Sequence, residues 1–331
     1  MTAPLLAPEP PDEAPEPPQL PAAAAPPPHP STLLPNRRPA YQTPAGAAYC
    51  GDGHVLLSEL PENSVDLFVT SPPYALEFKK SYGNASKTEY VDWFLPFGRE
   101  VFRALKDKGS FVLNIGGSYN KGVPTRSLYH FKLVIALVEE LGFHLAQEGF
   151  WYNPAKLPAP AEWVNVRRVR VKDSVEYVFW FSKTPWPKAN NREVLVPYSP
   201  DMHRLIAKGF TVKERPSGWK HTAKWQKDSG GAIPSNLLER GNNESNSDYI
   251  TRSAEHKHKV HPARFPAILP SWWTRFLTTE GDVVVDFFAG SNTTGSVAEQ
   301  LKRRWLSFEL SPDYVRNSAL RFGIDPKKVR V

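Results

Sequence analysis

The run Asp282-Val283-Val284-Val285-Asp286, followed by Phe287-Phe288-Ala289-Gly290-Ser291-Asn292-Thr293-Thr294-Gly295, restricts the fold of this 331-residue chain more than any other feature. Three valines in a row show no apolar–polar alternation, which marks a strand buried on both faces, and Ser296 to Lys302 then reads as an amphipathic helix. Strand, small-residue loop and helix together are the repeating unit of a mostly parallel α/β sheet. Small residues let a ligand approach the backbone, and the N–H groups of a helix start favour a carboxylate or phosphate. The next strand, Trp305-Leu306-Ser307-Phe308-Glu309, ends in an acid about twenty residues beyond Asp286, the offset at which such an acid grips ribose hydroxyls. An adenosine-containing cofactor is implied. The loop has no P-loop lysine, which argues against a nucleoside triphosphate. A tight strand-to-helix turn with no ligand is the plainer alternative.

A second strand end carries a different chemistry. The apolar run Val65-Asp66-Leu67-Phe68-Val69 leads through Thr70 into Ser71-Pro72-Pro73-Tyr74. Two successive prolines remove two backbone donors and leave carbonyl acceptors in a rigid turn, beside an aromatic ring. Such a turn suits a planar amino group, with acceptors for its hydrogens and Tyr74 to stack on the attached ring, as needed to hold a nucleobase outside its helix. Its plain alternative is a proline turn in which Tyr74 only packs.

Between these two signals the chain alternates strands and helices. Ala47 to Cys50 reads as a strand ending at Gly51-Asp52, and Val55 to Leu60 as a helix. Lys87 to Lys106 reads as a helix with Tyr90, Trp93, Phe94, Phe97, Val101, Phe102 and Leu105 on one broad face, followed by a strand from Ser110 to Ile115. Tyr129 to Leu141 is the next helix and Val175 to Phe181 a strand stopped by Lys183-Thr184-Pro185. The aromatic helix face reads as core, with a homodimer contact as the alternative.

Two segments depart from this alternation. Met1 to about Ala40 is crowded with Pro and Ala and offers nothing periodic to bury, so residues 1–40 read as a disordered or polyproline-like tail. Residues 186–260 are rich in Lys, Arg, Trp, Ser, Asn and Gly, with Lys213, Arg215, Lys220, Lys224 and Lys227 closely spaced with His221 and Trp225. Basic residues among aromatics suit phosphate contacts and groove insertion, so these five cations are candidate duplex-DNA ligands; a solvated loop is the alternative. A net charge of +7 agrees with a polyanionic partner. The single cysteine, Cys50, excludes an internal disulfide framework, and no signal-like or membrane-length apolar stretch is present. A cytoplasmic protein with no membrane partner is expected. His256, His258 and His261 lack a nearby cysteine, and no metal is expected.

Taken in this order, the motifs identify the chain by resemblance. It resembles the amino-group DNA methyltransferases of bacterial restriction-modification systems, in the circularly permuted beta class whose catalytic half precedes the cofactor half. Within that family Ser at position 71, preceded by Thr70, is similar to the cytosine-N4 branch, as is the stretch from Gly231-Ala232-Ile233-Pro234-Ser235-Asn236 through Ser245-Asn246. The resemblance implies a Rossmann-like, seven-stranded sheet with one antiparallel strand, divided into a catalytic half (41–185), an inserted target-recognition region (186–260) and a cofactor-binding half (261–331).

What the resemblance implies for the site follows residue by residue. Ser71, Pro72, Pro73 and Tyr74 are the catalytic turn. S-adenosylmethionine is the cofactor, held by His261, Pro262, Ala263 and Phe265 around its methionine portion and by Phe288, Ala289, Gly290, Ser291, Asn292 and Thr293 of the loop. Asp52 is expected on its adenine amino group, Asp286 on its amino-acid portion and Glu309 on its ribose. The loop departs from the family in carrying Phe287 for Pro and Asn292 for Gly; Asn is the side chain that best tolerates a left-handed backbone. The implied reaction is methyl transfer to the exocyclic N4 of a flipped cytosine in duplex DNA, with a cognate restriction endonuclease as a functional partner. An adenine-N6 enzyme, an RNA or protein-amide methyltransferase on the same scaffold, and a silent DNA-binding regulator are the alternatives.

Overall fold

The computed structural model describes residues 27–75, 85–209, 228–242, 247–258 and 260–331. In chain order its elements are β1 (Tyr41–Gln42), β2 (Gly46–Cys50), α1 (Gly53–Ser58), β3 (Val65–Thr70), α2 (Tyr90–Ala104), β4 (Leu105–Ile115), α3 (Tyr129–Glu139), β5 (His144–Tyr152) and β6 (Val175–Ser182). There follow α4 (Pro200–Lys208), β7 (Leu237–Glu239), α5 (Asp248–Glu255), α6 (Ile268–Leu277), β8 (Val283–Asp286), α7 (Thr293–Gln300), β9 (Arg304–Glu309) and α8 (Pro312–Ser318). Among the described residues no helix is long and apolar enough to cross a membrane.

Among the described residues nine strands form one sheet in the order β1-β2-β9-β8-β3-β4-β6-β5-β7. The late strands β8 and β9 lie between the early strands β2 and β3, which is the permutation read from the motif order. Seven strands with one antiparallel member were expected. The sheet has nine, because β1 and β7 extend its two edges, and both β1 and β6 run antiparallel to their neighbours. Strand β7 lies within the middle segment, with residues 237–239 paired at the sheet edge with Phe150, Trp151 and Tyr152.

Helices cover both faces, which is what continuous apolar strands demand. On one face Phe68, Phe111, Val283, Val285 and Phe308 pack with Leu56 and Leu57 of α1, Tyr90, Phe94 and Phe97 of α2, and Leu133 and Leu137 of α3. On the other, Leu67, Val69, Val112, Val284 and Trp305 pack with Leu269 and Trp273 of α6, Ala298 of α7 and Val315 of α8. The three valines of β8 therefore divide between two cores. The aromatic face of α2 is taken by the first of these, so it offers little as a dimer contact. That helix ends at Ala104 rather than Lys106, since β4 begins at Leu105.

Residues 27–40, read from composition as part of a tail, pack against the fold. Pro30–Leu33 form a 3-10 turn, Leu34 is 1% exposed within the α1–α3 core, and Arg37 pairs with Glu59. Pro30 and Ala40 are buried as well and Leu33 packs on the same core as Leu34, whereas residues 1–26 lie outside the described residues.

Candidate active site

The parallel strands β2, β9, β8, β3 and β4 all run the same way, and a cavity of about 600 Å³ opens past the ends of several of them. Its lining brings together the two halves of the sequence reading: Ser71, Pro72, Pro73 and Tyr74 on one side, and Asp52, His261, Pro262, Ala263, Phe265, Phe288, Ala289, Gly290, Ser291, Thr293 and Glu309 on the other. In an open α/β sheet the switch point, where neighbouring strands connect in opposite directions, is where such a crevice belongs.

Strand β3 carries the proline turn into the cavity. Tyr90 donates a 2.8 Å hydrogen bond to the Pro73 carbonyl, which fixes the turn against α2. The Pro72 carbonyl meets no protein donor among the described residues. Ser71 Oγ donates to the Tyr74 hydroxyl at 3.3 Å, and the Tyr74 hydroxyl donates to Glu176 Oε2 at 2.9 Å. Asn114 Nδ2 donates to the same two hydroxyls, at 3.3 and 3.0 Å. Its own Oδ1 is buried with no partner among the described residues. Burial, and after it the nearby Glu176 carboxylate, push the Tyr74 phenol well above its ordinary pKa, so it stays a neutral hydroxyl. Its ring lies so near the Gly116 backbone that a Cβ there would come within 2.5 Å of it.

The cofactor side is built on β9 and the loop after β8. Glu309 accepts hydrogen bonds of 2.8 Å from the Gly290 and Ser311 amides, and burial raises its pKa. Gly290 has φ +51°, and a Cβ on it would meet the His261 ring at 3.3 Å. His261 packs edge-on to Tyr314, with Nδ1 2.6 Å from the Ala263 carbonyl, and burial lowers its pKa toward a neutral imidazole. Asp52, at the end of β2, caps α1 through Oδ1, which accepts from the His54 and Val55 amides. Phe288 stands with Trp93 and Phe97 as an aromatic wall, at 5.8 and 5.1 Å between ring centroids.

Two of the residues expected on the cofactor, Asp286 and Asn292, do not line the cavity. Asp286 is 2% exposed and does not line the cavity: Thr70, Thr294 and the Phe288 amide all donate to its carboxylate. Burial pushes its pKa up to about 6 against those three stabilising bonds. Asn292 is 1% exposed and also turned away, capping α7 in a left-handed conformation with φ 54°. Its Oδ1 accepts from the Gly295 amide and Ser307 Oγ, and its Nδ2 donates to the Tyr41 hydroxyl. Phe287 fills the core instead of the family's proline, 1% exposed among Phe68, Phe97 and Phe111.

Lys213, Arg215, Lys220, Lys224 and Lys227 lie outside the described residues. Among the described residues no group of three or more His, Cys, Asp or Glu side chains is placed to hold a metal ion. Sequence reasoning missed Trp93, Asn114, Trp151, Glu176, Asn242 and Arg264, all of which line the cavity. Asn114 and Glu176 did leave a signal, since each is a polar residue within an apolar strand.

Comparison with known proteins agrees with this geometry. A family model described as DNA methylase matches residues 65–320. The type II methyltransferase M.PvuII of Proteus hauseri is 52% identical over 289 residues, covering 86% of either chain. M.BglII of Bacillus subtilis is 28% identical over 274 residues, covering 81% of this chain and 66% of its own. The solved PvuII DNA methyltransferase, described as cytosine-N4-specific, superposes with a TM-score of 0.72 at 46% identity, covering 88% of this chain and 92% of that one. A Thermus thermophilus protein solved in complex with S-adenosyl-L-methionine shares the fold at 20% identity and a TM-score of 0.52, covering 85% of this chain and 93% of that one.

Proposed function

Since the chain belongs to the DNA methylase family of N6- and N4-modifying enzymes, we propose that it transfers a methyl group from S-adenosylmethionine to the exocyclic N4 of a flipped cytosine in duplex DNA. The observation that carries this reading is one cavity lined both by Ser71 to Tyr74 and by the Gly290–Glu309 cradle. In the cytoplasm, a cognate endonuclease reading the same DNA site would be its functional partner.

The residues present fit S-adenosylmethionine. Gly290 leaves the space a Cβ would take beside His261. Asp52 and Glu309 stand at the ends of the paired strands β2 and β9, in register at Cys50 and Glu309, as acceptors for adenine and ribose donors. Phe288, Trp93 and Phe97 offer a flat apolar wall to the purine. When bound, the cofactor supplies an electrophilic methyl group on a sulfonium.

The chain's own residues address the poor nucleophile. An exocyclic amine conjugated to its ring has little lone-pair density, and acceptors on its hydrogens favour the pyramidal nitrogen and the charge that develops on it. Ser71 Oγ and the Pro72 carbonyl are those acceptors. Tyr74, its hydroxyl held by Glu176 and Asn114, presents its ring for stacking, worth roughly 1–3 kcal/mol per base. Much of the rate then comes from orientation. No covalent intermediate is needed, and Cys50 plays no chemical part.

The test is methyl transfer from labelled S-adenosylmethionine to unmodified genomic DNA, followed by nucleoside mass spectrometry. N4-methylcytosine is expected. N6-methyladenine as the product would move the chain to the adenine branch, and no modified base despite cofactor binding would overturn the reading.

A further inference from the structure

Glu176 is the second residue of the antiparallel strand β6, paired across the ladder with Trp151, and it reaches the cavity from the side opposite the cofactor loop. Both of its carboxylate oxygens are engaged. Oε2 accepts from the Tyr74 hydroxyl at 2.9 Å and Oε1 pairs with Lys156 Nζ at 3.0 Å, with the Glu176 side chain only 19% exposed. Together with the 3.3 Å bond from Ser71 Oγ to the Tyr74 hydroxyl, this makes a chain of oxygens, Ser71 to Tyr74 to Glu176, whose donors all point toward the carboxylate. Asn114 donates to both hydroxyls and keeps them in line.

That direction has a chemical consequence under the proposed methyltransferase reading, on which the following rests. The bond from sulfur to the methyl carbon breaks, its electron pair staying on sulfur, while the N4 lone pair forms the new bond to carbon. The nitrogen then carries a positive charge and one proton too many. Ser71 Oγ, an acceptor for that hydrogen, cannot keep it unless its own proton moves on. We propose that Glu176 is the terminal proton acceptor of methyl transfer, acting through Tyr74. The N4 proton passes to Ser71 Oγ, the Ser71 proton to the Tyr74 hydroxyl, and the Tyr74 proton to Glu176 Oε2, so no hydroxyl is left ionised. Glu176 does not touch the base; it positions Tyr74 and drains the chain.

Other charged and polar groups face this carboxylate and its cavity. Lys156 lies on its outer oxygen and Tyr129 of α3 beside Tyr74 and Glu176, while Asp52, His261, Arg264 and Glu309 line the cofactor side. Measuring kcat at saturating cofactor and DNA separates the catalytic side from groups that act through binding.

Glu176→Gln is nearly isosteric and can still accept from the Tyr74 hydroxyl, so it retains the positioning bond and loses the proton acceptor. Its kcat should fall about 100-fold, the size of a general-base contribution, with the Kd for S-adenosylmethionine and for DNA within about 2-fold of wild type. The acidic limb of the wild-type kcat–pH profile should be absent from the variant, and Glu176→Asp should restore part of both rate and limb. A Glu176→Gln enzyme with wild-type kcat and an intact acidic limb overturns the proposal. If that variant does not fold, Tyr74→Phe removes the middle of the chain and keeps the ring: loss of the limb supports the relay, and retention overturns it. A wild-type protein that forms no N4-methylcytosine brings down the methyltransferase reading and this role together, whereas a normal product with an unchanged limb in the variants removes only the role.

Discussion

Thr70, the residue just before the proline turn, donates a 2.7 Å hydrogen bond to Oδ1 of Asp286, the last residue of the strand that opens into the cofactor loop. Thr294, in the first turn of α7, donates to the other oxygen at 2.7 Å. One buried carboxylate thus ties the catalytic strand, the cofactor strand and the following helix at the point where the two half-sites meet. Through these bonds it links the strand that leads to Ser71 with the loop that carries Gly290.

Asp286 gives the protein a measurable pH signature. Its pKa is pushed up to about 6 in the fold by burial, above the unfolded value of about 3.9, so the folded state binds a proton more tightly. The stability linked to this group is fully present below the unfolded value and is lost as pH rises through about 6, a difference of roughly 3 kcal/mol at most. Asp286→Asn does not titrate, so its melting temperature relative to wild type should be higher at pH 8 than at pH 4.5. A difference that is flat across that range, in thermal melts monitored by circular dichroism, contradicts the assignment.

Ser71→Ala should separate chemistry from cofactor binding. Ser71 touches Tyr74 and Asn114 but lies across the cavity from the Glu309–Gly290 cradle. Removing one oxygen that stabilises developing charge should cost about 100-fold in single-turnover methyl transfer. Calorimetric titration should find the cofactor Kd unchanged, and a variant that transfers methyl groups at the wild-type rate would remove Ser71 from the site.

Gly290→Ala should do the reverse. Its φ of +51° penalises any side chain, and the added Cβ would sit 3.3 Å from His261, so the loop must shift where Glu309 grips it. Strain of about 1–2 kcal/mol in the bound geometry corresponds to roughly a 10-fold weaker cofactor Kd. Calorimetry on the variant checks this, and an unchanged Kd would place the cofactor elsewhere.

How much of this was legible depends on whether a feature is local. The triple valine of β8 announces burial on two faces, and the two cores divide it as Val283 and Val285 against Val284. Strand β5 was not legible, because His144 to Glu148 are all exposed near the sheet edge and carry no apolar pattern. Asn114 comes beside Tyr74 through the pairing of β4 with β3, and Glu176 through the pairing of β6 with β4, so a polar residue in an apolar strand is readable while its neighbour across the sheet is not. For Asp286 an acid at a strand end is readable, but its orientation is set by two hydroxyls, one of them 216 positions away. Leu34 is the converse case, a buried apolar residue within surroundings whose composition reads as tail.

That case is testable by truncation chemistry at one position. Leu34 is 1% exposed in the α1–α3 core, so Leu34→Ala should destabilise the protein by about 2–4 kcal/mol, as other buried leucines do when cut back. A chain starting after Asn36 should lose at least as much. Urea unfolding of both would show it, and an unchanged midpoint would return this stretch to a solvated tail.

Asn292 supplies the last test, because it stands where the family carries glycine. Glycine would relieve the left-handed backbone at φ 54°, yet the Asn side chain is tied at 3.1 Å to the Gly295 amide, at 2.5 Å to Ser307 Oγ and at 2.9 Å to the Tyr41 hydroxyl. Tyr41 belongs to β1 and Ser307 to β9, so one amide joins the sheet edge to the start of α7. If conformation alone mattered, Asn292→Gly would be neutral or stabilising. Because the three bonds are buried, Asn292→Gly should instead cost about 2 kcal/mol. Asn292→Ala should cost about 3 kcal/mol, adding the penalty of a Cβ in the left-handed region. The order wild type, Gly, Ala in melting temperature is the expected outcome. Glycine at or above wild type would mean that the hydrogen bonds merely follow the turn rather than hold it.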